Sequence, residues 1–341
     1  MTMEFATFTA AQVEEHRTSR SVWVTLRGKV YDVTDFIADH PGGADSILQH
    51  GGIDIEEIMG DENTHAHSKA AYKMLEGYYI GTLVNGEEEK DKDAATAKTA
   101  VALGFGRKSS DFIDPTRPML AQVWGAQFTK EFYVEQVHLP RQVKGSAPLF
   151  GPWYLEMFSL TPWWIIPLVY IPITIYNIHH AVTELGASLH TVPAFFAVGI
   201  LVWTFVEYSL HRFLFHIDEF LPDNQVAFTL HFLLHGIHHF LPMDKMRLVM
   251  PPALGLVLSI PVYKVVIALF PVGSGNIVAG GAYCGFMLYD LIHYHLHHAR
   301  PYTAYLREMK TYHLDHHYKN AHLGFGITNK LWDYVFNTEL K

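Results

Sequence analysis

The chain of 341 residues carries a formal net charge of −9, 49 % hydrophobic residues and one cysteine. That apolar content places part of it in lipid, and an acidic balance without a Lys/Arg run excludes a phosphate-tracking nucleic-acid binder. Cys284 lies in an apolar run, which excludes disulfides, cysteine-rich zinc fingers and cysteine-ligated iron–sulfur clusters.

Residues 1 to 30 contain no basic start followed by an apolar core, so no cleavable signal peptide is expected and the N-terminus is expected in the cytosol. Val22 to Leu26 and Val30 to Val33 are β-prone runs separated by Arg27-Gly28-Lys29, which predicts a tight turn between two strands. Thr34-Asp35 can cap a short helix over Phe36, Ile37 and Ala38, broken at His40-Pro41-Gly42-Gly43. Helical periodicity follows over Ala44 to Gln49 and Ser68 to Glu76, with His67 just before the second helix. His40-Pro-Gly-Gly43, the upstream Val30-Tyr-Asp-Val-Thr-Asp-Phe36 and the His67-Ser68 pair together resemble the cytochrome b5 family over roughly residues 8 to 84. The resemblance implies haem b held by His40 and His67, with His65 a nearby competitor. Two axial imidazoles would leave that haem to pass electrons, with no position for oxygen.

Residues 87 to 115 open with Glu87-Glu-Glu-Lys-Asp-Lys-Asp93 and lack fixed periodicity, which predicts a solvated tether. Leu120 to Val137 is amphipathic and predicts one helix lying at a membrane interface or packed on the surface. Four apolar runs then approach the length of a bilayer crossing: Trp163 to Ala181, Val192 to Leu210, Leu248 to Phe270 and Asn276 to Ile292. Pro167, Pro172 and Pro261 within them predict kinks. The turns joining these runs pairwise lack Lys and Arg. Residues 211 to 247 and the tail after Ile292 carry Arg212, Lys245, Arg247, Arg300, Arg307 and Lys310. The positive-inside bias puts these basic segments in the cytosol.

Thirteen of the 23 histidines fall between residues 211 and 317. They form His211-Arg-Phe-Leu-Phe-His216, His235-Gly-Ile-His238-His239, His293-Tyr-His-Leu-His297-His298 and His313-Leu-Asp-His316-His317. Positions i, i+3 and i+4 share a helical face, so His235, His238 and His239 are expected to converge, as are His313, His316 and His317. His293 and His297 form an i, i+4 pair, while His295 faces elsewhere; His298 and His231 are outer candidates. His211 and His216 are five apart and require a local unwinding or bulge. Ten imidazoles suit two metals, up to five nitrogens each, and ligand type alone leaves zinc, iron, copper and nickel open. Asp290, one turn before His293, is a candidate outer partner that orients a ligand ring.

These motifs, with the fused haem domain, resemble the membrane-bound fatty acid hydroxylase and sterol desaturase superfamily, and within it the fatty acid 2-hydroxylases. The match extends to Leu323-Gly-Phe-Gly-Ile-Thr328, for which no role beyond packing is expected. The resemblance implies di-iron at His211, His216, His235, His238, His239, His293, His297, His313, His316 and His317. It also implies O2-dependent hydroxylation at C2 of long acyl chains, free, activated or in ceramide, in the endoplasmic reticulum membrane. A reductase is implied as the electron source; iron is the expected metal, and zinc can replace it in an all-histidine cage during preparation.

The fold expected is multidomain: a small α+β cytochrome b5-like domain at 1–86, a linker at 87–115, and an all-α membrane domain at 116–341. That last domain is expected to have about four transmembrane helices under a cytosolic histidine-rich cap. Rival readings are a desaturase, or a hydroxylase acting on a sterol or another acyl carbon, and a metal transporter. The transporter fits less well, since transport sites belong near the bilayer midplane and these histidines lie at helix ends.

Overall fold

The computed structural model describes residues 6–37, 40, 44–60, 67, 69–84, 112–141, 143 and 145–340. Ala38, Pro41 to Gly43, His65, Ser68 and most of the expected linker, residues 87–111, lie outside the described residues. The chain divides into two compact units, Met1–Ile113 and Asp114–Lys341.

The first unit is built on a five-stranded sheet of β1 (Ala6–Thr9), β2 (Arg17–Thr18), β3 (Ser21–Leu26), β4 (Lys29–Asp32) and β5 (Tyr79–Val84), in spatial order β1-β5-β4-β3-β2. β1 runs parallel to β5; the other pairs are antiparallel. The turn expected between β3 and β4 uses Arg27 and Gly28, both at positive φ, the twist that lets two residues join right-twisted strands. Helices α1 (Ala10–Glu15), α2 (Ala44–Gln49), α3 (Glu56–Gly60) and α4 (Lys69–Glu76) accompany the sheet. Val22, Val24, Leu26, Tyr31, Ile55, Met59 and Leu75 form its core. Alternation along β3 sends Val22 and Val24 inward, and the helix expected at Phe36 is a single 3-10 turn, Thr34–Phe36.

The second unit is helical. It begins with α5 (Met119–Gly125), α6 (Lys130–Val137) and the short α7 (Trp153–Glu156). The single amphipathic helix expected over Leu120 to Val137 is therefore two. The chain leaves α5 at Ala126 in an extended conformation, and Thr129 restarts it by accepting the Phe132 N–H.

Next come α8 (Ile165–Thr183), α9 (Val192–Leu210), α10 (Gln225–His231), α11 (Ile237–Phe240), α12 (Pro252–Leu269), α13 (Ser274–His298), α14 (Ala304–Tyr318) and α15 (Leu331–Phe336). Among the described residues three segments are long and apolar enough to cross a membrane: Ile165–Thr183, Leu189–Phe220 and Pro252–Leu269. They turn Leu168, Ile175, Leu201, Val257 and Val265 outward, as lipid-facing helices do.

The fourth expected span, Asn276 to Ile292, lies within the 25-residue α13 but is less apolar, because this helix is the hub that α8, α9 and α12 surround. Its buried positions mix small residues, Gly280, Gly281 and Gly285, with the apolar Ile277, Val278 and Phe286 and the polar Asp290. A Cβ on Gly281 would collide with the Phe196 carbonyl of α9, so glycine there lets the two backbones touch. α13 continues past the apolar layer and carries His293 and His297 out of it.

Candidate haem and metal centres

In the first unit the imidazoles of His40 and His67 face each other, ring centres 6.3 Å apart and planes 27° from parallel. Two rings binding one iron from opposite sides, each nitrogen roughly 2 Å from it, put their centres roughly 6 Å apart. The pair therefore fits a haem. The His67 N–H donates to the Met59 carbonyl at 2.9 Å, and the Phe36 ring meets His40 edge-on at 5.6 Å.

In the second unit the ten expected histidines gather into two groups of five. His211, His216, His235, His239 and His316 form one; His238, His293, His297, His313 and His317 form the other. Within each, one ligand atom per residue lies within 4.8 Å of all the rest. The gap of five between His211 and His216 is resolved by a π turn, His211–Phe215, in which the His216 N–H donates to the His211 carbonyl at 3.0 Å. A second π turn, Phe232–Gly236, delivers His235.

The triplets do not each converge on one point, as their spacing had suggested. His235 and His239 enter the first group and His238 the second; His316 enters the first and His313 and His317 the second. Adjacent helical residues point roughly 100° apart, so α11 and α14 each stand between the groups and serve both.

Each group is a ring of four imidazoles capped by a fifth. In the first, His211, His235, His239 and His316 follow one another at centre distances of 4.9, 4.8, 5.1 and 4.8 Å, and His216 is 4.7 to 5.0 Å from every one of them. In the second, His238, His293, His313 and His317 follow at 4.7, 4.7, 4.6 and 4.5 Å under His297, which is 4.9 to 5.0 Å from each. His238 and His313 face each other across that ring, 6.3 Å apart and nearly parallel.

The donor atoms themselves call for a cation. The Nε2 atoms of His293, His297 and His317 stand 2.9, 2.9 and 3.1 Å from His313 Nε2, and those of His239 and His316 stand 3.0 Å from His216 Nε2. One ring nitrogen holds either a proton or a lone pair and cannot satisfy three others. Nitrogens roughly 2.1 Å from one metal, at right angles, would be roughly 3.0 Å apart. Burial holds His235, His238, His239, His313, His316 and His317 well below the ordinary imidazole pKa, so these rings are neutral and offer lone pairs.

Outer contacts differ from those expected. The buried Asp290 carboxylate accepts the Met250 N–H at 3.0 and 3.3 Å, ahead of α12, and no histidine ring is among its described hydrogen-bond partners. The carboxylate behind a ring is Asp218, two residues after His216. It is buried, with Oδ2 3.6 Å from His216 Nδ1 and 3.5 Å from His138 Nε2, and Oδ1 3.3 Å from His231 Nε2. Tyr133 fixes His231 through a 2.8 Å contact to Nδ1. His231 is thus an outer residue of the first group, while His295 and His298 pack against Tyr302 and Tyr294, outside both groups. Asp218 and His138 had gone unread, although a carboxylate two residues from a candidate ligand was a visible signal.

Below the groups an apolar pocket runs between α8, α9, α12 and α13, lined by Tyr170, Trp203, Phe215, Gly255, Phe286 and Tyr289 among others. Phe215 stacks on His235 at 4.9 Å and Tyr289 on His293 at 5.8 Å, so the pocket meets both groups.

Residues 9–84 match the family model of the cytochrome b5-like heme/steroid binding domain, and residues 196–338 match that of fatty acid hydroxylase. The chain is 43% identical to a ceramide very long chain fatty acid hydroxylase of Saccharomyces cerevisiae, over 98% of this chain and 94% of that protein. It is 35% identical to the fatty acid 2-hydroxylase of Mus musculus, over 98% and 95%. The solved structure of full-length scs7p, in which only the hydroxylase domain is visible, aligns with a TM-score of 0.65 at 47% identity, covering 69% of this chain and 88% of that one.

Proposed function

The chain belongs to the fatty acid hydroxylase family, and we propose that it hydroxylates C2 of long or very long acyl chains, free, activated or within ceramide, for sphingolipid synthesis. The observation that carries this reading is the junction of pocket and histidines: Phe215 and Tyr289 line the pocket and stack on His235 and His293. An acyl tail lying among the membrane helices, entered from the bilayer, would present the carbons next to its carboxyl end beneath both groups. Apart from Glu207 and Ser259 the wall is apolar and aromatic, which suits a hydrocarbon tail and keeps water from the reacting end.

In this reading His211, His216, His235, His239 and His316 hold one metal ion, and His238, His293, His297, His313 and His317 hold the second. No side chain can take hydrogen from an alkyl carbon; two irons so held would supply that oxidising chemistry, with O2 as oxidant, two electrons from the haem, and one oxygen leaving as water. All-imidazole donors also suit zinc, so a purified sample can carry zinc in place of iron. His40 and His67 would hold haem b, and a haem held by two imidazoles would pass electrons one at a time rather than bind oxygen. Asp218 acts by orienting His216, and Asp290 by fixing the start of α12 near the pocket.

A reductase outside this chain feeds the haem. The domains are residues 1–86 for haem, 87–115 for the tether and 116–341 for the hydroxylase. A tether keeps the haem at high effective concentration over its target. The protein sits in the endoplasmic reticulum membrane with haem and metal groups on the cytosolic side, a reading supported by the Lys and Arg of the segments after Leu210 and Ile292.

Lipid mass spectrometry of cells expressing the chain tests this. The expected product is an acyl chain heavier by one oxygen at C2, absent with His316→Ala and strongly reduced with His40→Ala. A product lighter by two hydrogens would identify a desaturase instead, and unchanged product from His316→Ala would sink the assignment of the metal groups.

A further inference from the structure

Two buried carboxylates far apart in sequence grip one loop. In the segment 323–328 the Phe325 and Gly326 N–H groups donate to Asp333 Oδ1 and Oδ2 at 3.0 and 2.7 Å. The next two, Ile327 and Thr328, donate to Glu207 Oε1 at 3.0 and 2.8 Å, and the Thr328 hydroxyl donates to Oε2 at 2.7 Å. Four consecutive amides are thus spoken for by two side chains, 0% and 3% exposed. A buried carboxylate needs several donors to offset its lost hydration, and here the backbone provides them.

The other edge of the same loop faces the first histidine group. The Leu323 carbonyl is 2.8 Å from His316 Nδ1, and the Phe325 carbonyl 2.6 Å from His211 Nδ1. A carbonyl can only accept, so both rings carry their proton on Nδ1 and turn the Nε2 lone pair toward the group's centre. Glu207 also lies four residues before His211 on α9, on the same face, so the helix that presents the ring also anchors the loop that aims it. The second group has no counterpart among the described hydrogen bonds: His293, His297 and His317 meet His313 through Nε2.

We propose that Glu207 and Asp333 are positioning residues for the first histidine group, fixing the tautomer and aim of His211 and His316 through the backbone of residues 323–328. They touch neither ring, and act only through the loop. The inference rests on the proposed metal occupancy of both groups.

The test uses the full-length chain in detergent, loaded with Co2+ as a probe, with bound metal counted per chain under chelator competition and the cobalt absorption spectrum recorded. Glu207→Gln and Asp333→Asn are expected to weaken one of two ions by about 10- to 100-fold, the usual cost of losing an outer partner. The spectral component they lose should be the one lost in His216→Ala, with the component lost in His297→Ala retained. Retention of the second ion shows that the variant is folded, because α11 and α14 build both groups. Variants that keep both ions at wild-type affinity overturn the positioning role, as do variants that lose both together. A wild-type chain that binds no cobalt overturns the metal reading itself, and the positioning role with it.

Discussion

The two histidine groups draw on the same kinds of motif in mirrored proportion. The first takes both of His211 and His216, two of the triplet at 235, 238 and 239, and one of that at 313, 316 and 317; the second takes both of His293 and His297, one of the former triplet and two of the latter. Their supports are unlike. The second group's pair sits on the uninterrupted helix α13 at a spacing of four, where a regular helix already puts both rings on one side. The first group's pair is five apart and spans a π turn, with Asp218 near His216 and the Phe325 carbonyl on His211, while the Leu323 carbonyl holds His316 of the same group. Where helical geometry aims the ligands, no carbonyl or carboxylate behind a ring is found among the described hydrogen bonds. Where it does not, the chain brings carboxylates and a loop.

The largest effect expected is metal removal. Ten buried imidazoles with facing lone pairs should leave the stripped protein much less stable, by about 4 kcal/mol per ion when free metal stands a thousandfold above its dissociation constant. Thermal unfolding of the hydroxylase portion, followed with and without chelator, measures this; two resolved steps on titration would sharpen the distinction between the groups, and one step would erase it. Next are the caps. His216→Ala and His297→Ala should each abolish hydroxylated lipid, a loss above about 100-fold, since a missing ligand must cost more than a missing outer partner. Each should leave one ion per chain by elemental analysis.

A smaller effect belongs to Asp218→Asn, which keeps the shape but removes the negative charge that lies 3.6 Å from His216 Nδ1 and beside His138 and His231. Metal affinity should fall about 10- to 100-fold at the first group and stay unchanged at the second. An equal loss at both would break the contrast. Smallest is Gly324→Ala: Gly324 has φ 75° and a Cβ there would press on Leu340, so a stability loss of about 1 to 3 kcal/mol is expected. Its effect on metal retention should fall on the first group alone.

Much of this was legible in the residues. The β3–β4 turn followed from Arg27-Gly28, and the ten histidines stood out because imidazoles at helix ends beside apolar runs have few other uses. The need for a bulge between His211 and His216 followed from arithmetic, since 3.6 residues per turn cannot align a gap of five. What stayed hidden depended on tertiary placement. Rotation along α11 and α14 decided which ring went to which group, and no single-helix pattern contains that information. Asp290 looked well placed by its spacing from His293, yet its carboxylate is taken by the Met250 amide from another segment. The length of Asn276 to Ile292 predicts a lipid-facing span, whereas its glycines and Asp290 mark a helix packed against protein. Glu207 is absent from the expected site residues, although an acidic residue inside an apolar helix needs a partner; the partners are the Ile327 and Thr328 amides.

The split triplets have a consequence for how the two centres are spaced. His238 and His239 are neighbours on one backbone, His316 and His317 on another, and within each pair one residue belongs to each group. Consecutive α-carbons are held about 3.8 Å apart by covalent geometry. With ring centres 5.9 Å apart in the first pair and 5.5 Å in the second, these two neighbouring-residue steps act as a gauge for the spacing of the groups. The pocket below can widen or lengthen to suit a different tail without altering that gauge, because no residue named in its wall supplies a ring to either group.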